Sequence, residues 1–365
     1  MSLTKLLIIT SEFPPQPGGI GTHAYQLAKE LSKHQIEVSV LTDQRSRNGE
    51  EEHGFDQNLT YKVHRVKRKF VLVLSYLERI SRAIRLTKRQ DVVLFSGKFS
   101  LWIGGFLSLI SNKKLVAVIH GSELLLSNRL LKSYTRWCLK RFDHVIGVSN
   151  FTLSLVEEIG LKNTTVIPNG FEVSEQQDFS KSQPSELSLI TVGNITQRKG
   201  QHNVVNALPL LKEEHPNFKY HVVGIPTEKE SLQILAEEQG VAEHVIFHGR
   251  VSDERKIELL KEASVFIMLS ETTLDGDVEG FGIAILEANA LGVPAIGAMG
   301  CGIEDAILEG KSGKLIASNQ SEECKKAIDE ILSNYQYFSS QAKIWTEQFR
   351  WPEVIKQYLI LIKDS

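Results

Sequence analysis

Short runs of apolar residues alternate with segments of helical periodicity along the chain. The first run, residues 6–9, has the length of a buried strand, and apolar residues from Ala24 to Leu31 then repeat at the spacing of one helix face. Further runs predict strands at residues 38–42, 91–95, 115–119, 145–149, 187–192, 220–224, 265–270, 293–297 and 314–316, and strands that run into turns at 166–170 and 245–251. The alternation is typical of an α/β protein with parallel sheets covered by helices on both faces.

A polar stretch separates two series of such elements. Residues 172–187 are rich in Ser, Gln and Glu and contain Pro184, as expected of a linker. The 365 residues, 42% of them hydrophobic and 24% charged, are enough for two globular domains. We therefore predict α/β domains at residues 1–171 and 172–350. The polar and acidic residues 44–60 are expected to form a loop of the first domain.

The net charge of −2 conceals an asymmetry between the two halves. Residues 1–169 carry 24 Lys and Arg against 14 Asp and Glu, whereas the remaining residues carry 18 against 30. This difference predicts different partners for the two domains.

The basic charge of the first half is concentrated in residues 62–89. This segment holds ten Lys and Arg against one acid, Glu78, with apolar residues at helical spacing from Leu77 to Ile84. A basic amphipathic segment is typical of proteins that bind an anionic membrane surface. The alternative is a helix packed on the core with a solvated basic face. Few aromatic residues accompany the charge, which disfavours nucleic acid.

Composition narrows the remaining classes. Cys138, Cys301 and Cys324 lie far apart and outside any C-x-x-C pattern, which indicates neither a disulfide framework nor a zinc site. The N-terminal apolar run is too short for a signal peptide, and no window approaches the ~20 apolar residues of a membrane span. We expect a cytoplasmic protein, with peripheral attachment to the inner face of the plasma membrane as the option that the basic segment raises.

The first predicted strand leads into a glycine-rich turn that contains Gly18 and Gly19. Glycine amides and the start of the following helix can bind a phosphate; alternatively the glycines serve only the turn. A G-x-G-x-x-G pattern is absent, which disfavours a nicotinamide dehydrogenase. His120 directly follows the strand at 115–119, where ligands of open parallel sheets collect. Among the histidines of the chain, His120 is the best candidate for a catalytic role, and the alternative is a structural role.

The second half carries a candidate anion site. Arg198 and Lys199 lie between Gly193 and Gly200, in a half of the chain with net negative charge. Adjacent cations next to glycines are typical of sites for strongly anionic groups. The alternative is a pair of exposed loop charges.

Two glutamates bracket a glycine turn further along this half. Glu279 and Glu287 would lie about 12 Å apart along the axis if the whole span were helical, which suits the two ends of an elongated ligand. The free amides of Phe281, Gly282 and Ile283 would face an anion at the helix start. A glutamate beside a phosphate site suggests a hydroxyl-rich ligand such as a sugar.

These motifs together resemble glycosyltransferase family 4, whose members are retaining enzymes of the GT-B fold. The resemblance covers nearly the whole chain, and its opening is most similar to bacterial phosphatidylinositol mannosyltransferases. It rests on the motifs at residues 17–19, 120–121, 148–149, 167–170, 198–200, 279–287 and 292–294. It implies an α/β architecture of two doubly wound Rossmann-like domains facing a cleft. The final helix, residues 351–365, would cross back onto the first domain, which would bind the acceptor.

The resemblance implies roles for the charged residues of the second domain, which would bind the nucleotide sugar. Arg198 and Lys199 would contact the donor diphosphate, Glu279 the sugar hydroxyls and Glu287 the ribose. Because these cations can neutralise phosphate and members of the family generally need no metal, we expect no metal at the D-x-D pattern of residues 275–277 and no cofactor.

It also implies roles for residues near the glycine turn and around the donor base. Gly18 and Gly19 would approach the donor phosphate from the first domain, and His120 would lie near the reacting sugar. Arg250 and Val251 would line the base pocket through backbone groups.

Two loops depart from the family pattern. Asn194 stands where many relatives carry an arginine and cannot supply that charge, so either Arg198 and Lys199 suffice for the donor or its affinity is lower. Residues 300–304 replace a commoner Gly-Gly-x-Pro-Glu pattern, which leaves the shape of that loop open.

We therefore expect a retaining, metal-independent hexosyltransferase. It would move a sugar from GDP-mannose or a UDP-sugar to a glycan or lipid-linked acceptor, in the synthesis of envelope polysaccharide or glycolipid. A sugar-nucleotide epimerase of the same fold and a non-catalytic nucleotide-sugar-binding protein are the alternatives.

Overall fold

A computed structural model describes residues 3–70, 72–173 and 186–363. Most of the predicted linker, residues 174–185, lies outside the described residues, as does Val71 of the basic segment. No helix in the described part of the chain is both long enough and apolar enough to span a bilayer.

The chain forms two compact units. Met1–Gly170 and Trp351–Ser365 make up the first unit, and Phe171–Arg350 makes up the second. In chain order the helices are α1 (Gly19–Leu31), α2 (Glu50–Asp56), α3 (Leu72–Thr87), α4 (Lys98–Leu107), α5 (Arg129–Leu139), α6 (Asn150–Ser154), α7 (Gln201–Ala207), α8 (Lys229–Glu238), α9 (Asp253–Glu262), α10 (Ile283–Ala290), α11 (Ser321–Ser333), α12 (Tyr335–Thr346) and α13 (Trp351–Lys363).

The first unit is built on a seven-stranded sheet. Its strands are β1 (Thr4–Thr10), β2 (Ile36–Gln44), β3 (Lys62–Lys67), β4 (Val92–Ser96), β5 (Lys114–Ile119), β6 (His144–Gly147) and β7 (Thr164–Val166). They pair in parallel in the order β3-β2-β1-β4-β5-β6-β7. Residues 6–9 are fully buried because helices cover both faces of such a sheet, which explains the continuous apolar run.

The second unit repeats this plan with six strands. They are β8 (Ser188–Val192), β9 (Lys219–Val223), β10 (Val245–Gly249), β11 (Val265–Met268), β12 (Ala295–Ala298) and β13 (Gly313–Ile316). The parallel order is β10-β9-β8-β11-β12-β13. Both units are therefore Rossmann-like, as predicted.

Each sheet reverses its strand order once. The reversal lies between β1 and β4 in the first unit and between β8 and β11 in the second. The loops that follow these strand pairs leave the sheet in opposite directions and open a crevice at its carboxyl edge, where open α/β sheets bind ligands. The glycine turn after β1 and the Arg198-Lys199 loop after β8 lie at these two positions.

The structure corrects one sequence expectation and defines two spans that the sequence left open. Residues 44–60 are not entirely loop, because Glu50–Asp56 forms α2. The basic segment is not all helix, because Lys62–Lys67 forms β3 at one edge of the first sheet. The span from Glu279 to Glu287 is not one helix, since α10 begins only at Ile283. The 12 Å helical spacing of the two carboxylates therefore does not apply.

The terminal helix α13 belongs to the first unit and packs against α1. It begins at Trp351, and Pro352 lies in its first turn. Backbone N–H groups of the first turn have no partner within the helix, so the missing N–H of proline costs no hydrogen bond there. The Trp351 ring lies directly over Gly170, where a Cβ atom would come within 2.5 Å of it. The Lys114 ammonium donates to the carbonyl of Leu361 at 2.7 Å.

The tightest backbone approach near the second crevice involves Gly200. Its φ is +70°, and a Cβ atom there would lie 1.8 Å from the Leu269 carbonyl oxygen. We expect Gly200→Ala to lower the free energy of unfolding by about 2–4 kcal/mol, because left-handed strain and overpacking add. Gly240→Ala is the matched control, since its φ is +63° with nothing within 4 Å of the added atom. Urea titration should give that control only about 1–2 kcal/mol of strain; equal losses in the two variants would contradict the steric argument.

Candidate active site

The loop after β8 presents Arg198 and Lys199. It leaves the strand through Gly193, forms one turn of 3-10 helix at Gln197–Lys199 and enters α7 through Gly200. The amide of Glu271, in the segment that follows β11, donates to the Arg198 carbonyl at 3.1 Å. The reversal of the sheet thus brings the two loops together.

Four charged side chains from these loops form one cluster. The Arg198 guanidinium donates to the carboxylate of Asp277 at 2.9 Å and also to that of Glu279. The Lys199 ammonium lies 2.8 Å from the same Glu279 oxygen. Three of the residues predicted for the donor site of this unit are therefore in direct contact, together with Asp277, which was considered only as a metal ligand.

Glu279 is held as a carboxylate in this cluster. Its side chain is only 12% exposed. Burial alone would raise its pKa, but Lys199 and Arg198 together lower the pKa below the ordinary value of a glutamate. Burial would lower the pKa of Arg198, and Glu279 and Asp277 raise it instead. Glu279 and Arg198 are therefore both ionised at neutral pH, in contact with Lys199 and Asp277.

Glu287 belongs to a separate pair. It lies in α10, and its carboxylate accepts from the ammonium of Lys256 in α9 at 2.9 Å. Burial would lower the pKa of Lys256, but Glu287 and then Asp253 raise it. Sequence reasoning did not identify Lys256, whose position carries no motif.

The turn between Glu279 and α10 is shaped by close backbone packing. Phe281 is buried, with its ring 5.8 Å from that of Phe349, and Gly282 has a φ of +94° at the N-cap of α10. The Gly302 amide donates to the Glu279 carbonyl at 2.9 Å, and a Cβ atom on Gly302 would lie 1.9 Å from the Gly280 oxygen. The 300–302 loop therefore supports the turn, and Ile283 begins the helix as its first residue.

The remaining donor-site candidates of this unit follow β8 and β10. Asn194 is exposed, and its carbonyl accepts from the side chain of Gln201 at 3.1 Å. Arg250 is exposed and Val251 half-buried after Gly249, whose φ is +67°. These residues lie at the same carboxyl edge as Arg198, while their side chains take no part in its ion cluster.

The first unit presents its candidates at the carboxyl edge of its own sheet. Gly18 caps α1, and a Cβ atom there would lie 2.3 Å from a carboxylate oxygen of Glu12. Gly19 is the first residue of α1, and nothing lies within 4 Å of the place its Cβ would take. Gly19 is exposed, so the first residue of this 13-residue helix lies beside an open position, at the end where helix amides lack backbone partners.

His120 follows β5, next to the end of β4. Its Nε2 lies 2.9 Å from the Ser96 hydroxyl, and its amide donates to the Glu123 carboxyl at 2.6 Å. Burial lowers the pKa of His120 to about 4, so the ring is neutral at physiological pH. Burial also raises the pKa of Glu123. The site offers a neutral imidazole that can donate or accept one hydrogen bond.

The acidic loop does not offer a free pair of metal ligands. Asp277 binds Arg198, and the Asp275 carboxylate accepts from the hydroxyl of Thr273. Within the described part of the chain, the one group with metal-ligand spacing comprises Glu214, His215 and Asp329, where Lys325 pairs with both acids.

Both halves of the chain match models of known glycosyltransferase families. A model described as Glycosyltransferase Family 4 matches residues 17–175, and a model described as Glycosyl transferases group 1 matches residues 173–348. The two matches meet at the boundary between the units.

Two similar proteins have names that agree with these family models. The GDP-mannose-dependent alpha-(1-6)-phosphatidylinositol monomannoside mannosyltransferase of Mycolicibacterium smegmatis is 28% identical, over 90% of this chain and 89% of that protein. The putative colanic acid biosynthesis glycosyltransferase WcaL of Escherichia coli is 27% identical, over 57% of this chain and 52% of that protein.

Among solved structures, Anabaena Alr3699/HepE in complex with UDP and glucose superimposes with a TM-score of 0.79 at 20% identity, over 99% of this chain and all of that one. That likeness establishes the fold. The two family models, which together span residues 17–348, show that this chain is a glycosyltransferase of the family 4 and group 1 type, and the fold is GT-B.

Proposed function

We propose that this enzyme transfers a hexose from a nucleotide diphosphosugar to an acceptor hydroxyl with retention at the anomeric carbon. The observation that carries the proposal is the cluster of Arg198, Lys199 and Glu279. It combines two cations for a diphosphate with a buried carboxylate for sugar hydroxyls. In the reaction, the bond from the anomeric carbon to the diphosphate breaks and one to the acceptor oxygen forms.

Arg198 and Lys199 stabilise the leaving group. Negative charge grows on the diphosphate as its bond to the sugar breaks, and cations already held in place lower the barrier without reorganisation. Their present partners, Asp277 and Glu279, keep both side chains oriented before the donor binds. Asp277 is 51% exposed, and its pair with Arg198 is therefore the easier one for a diphosphate to replace.

Retention follows from a reaction on one face of the sugar. The leaving diphosphate accepts the proton of the acceptor hydroxyl, so the reaction needs no carboxylate nucleophile. Glu279, ionised and buried, accepts hydrogen bonds from the sugar hydroxyls. His120, neutral at physiological pH, contributes a hydrogen bond to the reacting sugar. Gly18 and Gly19 approach the donor phosphate.

The donor is GDP-mannose or a UDP-sugar. GDP-mannose appears in the name of the mycobacterial relative, and a bound UDP in that of the Anabaena structure. Glu287, held by Lys256, accepts from the ribose hydroxyls, and the backbone of Arg250 and Val251 lines the base pocket. A thermal-shift screen of GDP-mannose against UDP-glucose, UDP-galactose, UDP-GlcNAc and UDP-glucuronate identifies the donor by selective stabilisation.

The acceptor is a glycan or a lipid-linked sugar of the cell envelope. The two relatives above act, by name, on a phosphatidylinositol mannoside and in colanic acid biosynthesis. Product analysis separates this function from the alternatives. An epimerase would change its donor without any acceptor, and a binding protein would be stabilised by the donor without turnover.

We also propose that the first unit docks on an anionic membrane at the cytoplasmic face. Its α3, α4 and α5 are linked by a row of rings, 4.5 to 6.2 Å apart from one ring to the next. This aromatic row consists of Tyr76, Phe99, Trp102, Tyr134 and Trp137. The same helices carry further exposed apolar side chains, namely Val73, Leu74 and Leu77 in α3, with Phe70 just before it, and Leu130 and Leu131 in α5.

Only part of the basic segment is available to lipid. Arg65 pairs with Asp56, and Arg68 and Arg79 pair with Asp43. Glu78 pairs with two more of the segment's cations. Exposed cations remain at Lys62, Lys67, Arg85, Lys88 and Arg89. Apolar rings combined with these cations suit an anionic bilayer interface better than charge alone.

Lys199→Ala tests the donor site. Removing one preorganised cation from the leaving diphosphate should lower kcat by about 10²–10³-fold. Lys326→Ala, an exposed lysine on α11, is the matched control and should keep wild-type turnover. Unchanged turnover in both Lys199→Ala and Glu279→Ala would show that the site is assigned wrongly.

Asp277→Asn tests the exchange of partners at Arg198. Losing this carboxylate frees the guanidinium for the diphosphate, so affinity for the nucleoside diphosphate should rise by up to about fivefold. Calorimetry at low and high salt should show that the gain shrinks with salt. Asp275→Asn, two residues away and bound to Thr273, should leave affinity unchanged. A loss of affinity in Asp277→Asn would mean that Asp277 supports the donor site.

Leu77→Ser tests the membrane surface. This side chain is 57% exposed beside the aromatic row, and burying a leucine contributes about 1.5–3 kcal/mol. Co-sedimentation with phosphatidylglycerol vesicles should therefore weaken by about tenfold. Ile344→Ser, on a residue 65% exposed in the second unit, should bind like the wild type. Equal, negligible binding of the wild type to anionic and neutral vesicles would remove the proposal.

A further inference from the structure

Four rings meet inside the first unit at the start of α1. His23, from the second turn of that helix, lies at their centre. Its ring centroid is 5.2 Å from that of His120, 5.8 Å from that of Trp351 and 6.3 Å from that of Tyr358. Trp351 and Tyr358 both belong to α13. A single side chain thus touches both the candidate catalytic histidine and the terminal helix.

His23 is an unusual residue for a position that is only 1% exposed. Its Nε2 lies 3.2 Å from the Tyr358 hydroxyl, whereas its Nδ1 has no partner among the described residues. Burial, and then the neighbouring His120, lower its pKa well below the ordinary value, so the ring is neutral. Leaving a buried nitrogen without a partner is unfavourable, and an apolar ring would fill this space without that cost. A role beyond packing would account for the histidine.

The His120 ring is restrained from two directions. Ser96 hydrogen-bonds its Nε2, and His23 meets it edge to face, with the two ring planes at 76°. Edge-to-face contacts fix ring orientation because the positive edge of one ring meets the negative face of the other. Any movement of His23 would therefore reorient His120 about its contact with Ser96.

The terminal helix fixes His23 in turn. Tyr358 supplies the hydrogen bond, Trp351 supplies a ring contact, and the Trp351 ring is itself seated on Gly170. We propose that His23 is a positioning residue. Through its hydrogen bond with Tyr358, it makes the orientation of the His120 imidazole depend on the position of α13. The inference rests on the proposed function in one respect, namely that His120 faces the reacting sugar.

Tyr358→Phe removes the hydroxyl and keeps the ring. A lost hydrogen bond of this kind should lower kcat by about three- to tenfold, and the KM for the donor should stay unchanged. The matched control is Tyr335→Phe, since Tyr335 is also buried, at 2%, and its hydroxyl has no partner among the described residues. That control should keep full activity. An unchanged kcat in Tyr358→Phe would overturn the proposal.

A double-mutant cycle separates positioning from packing. His23→Phe keeps a ring against His120 but cannot bind the tyrosine hydroxyl. If the hydrogen bond is the link, His23→Phe and Tyr358→Phe lower kcat to the same extent and the double variant loses no more. His23→Gln, which keeps a hydrogen-bonding group, should recover part of the loss. Additive losses, or losses that track the melting temperature, would show that the cluster only packs the core.

Nitrogen-15 NMR of the histidine rings gives a readout independent of turnover. In Tyr358→Phe and His23→Phe, the ring signals of His120 should shift, while those of His221 and His248 in the second unit should not. If the wild-type chain transfers no sugar from any donor, the proposed function fails, yet this measurement still decides the link. Unshifted His120 signals in both variants would overturn it.

Discussion

The candidate site of the second unit depends on the ion pairs that the carboxylate of Glu279 makes. This carboxylate lies in a loop from one strand at the sheet reversal and binds two cations from the loop of the neighbouring strand. Without it, Arg198 and Lys199 would face each other as like charges in a half-buried crevice, where their repulsion is poorly screened. With it, both cations are oriented before any ligand arrives. The same carboxylate, kept ionised by these cations, remains a hydrogen-bond acceptor beside them.

Much of this site could be predicted from sequence because its parts are local motifs. Arg198 and Lys199 stand between glycines, and Glu279 precedes a glycine turn, so each could be identified within a few residues of chain. Asp277 was noticed as one half of a D-x-D pattern, but its contact with Arg198 joins residues 79 positions apart. Lys256 carries no motif, and only the packing of α9 beside α10 makes it the partner of Glu287. Partners that come from non-local packing leave no local signal.

The fold could be predicted better than its edges. Strands buried on both faces form continuous apolar runs, and these runs marked nearly every strand of both sheets. The edge strand β3 was missed because it is polar and rich in Lys and Arg, as exposed edges commonly are. The count of charged residues in the basic segment, residues 62–89, was misleading for a related reason. Asp43 and Asp56, outside the segment, neutralise three of its arginines. Counting charge along the chain cannot detect such pairs between residues of different elements.

The order of the two units along the sequence determines which part of the protein is synthesised last. The first unit is discontinuous in sequence, because α13 follows the whole of the second unit. During translation the second unit has all its strands before the first unit receives its last helix. Until then His23 has neither Tyr358 nor Trp351 beside it, and the apolar face of α1 that α13 covers remains solvated. A chain interrupted before Trp351 would thus hold both sheets and the Glu279 cluster, yet its His120 would lack the support that the finished protein provides.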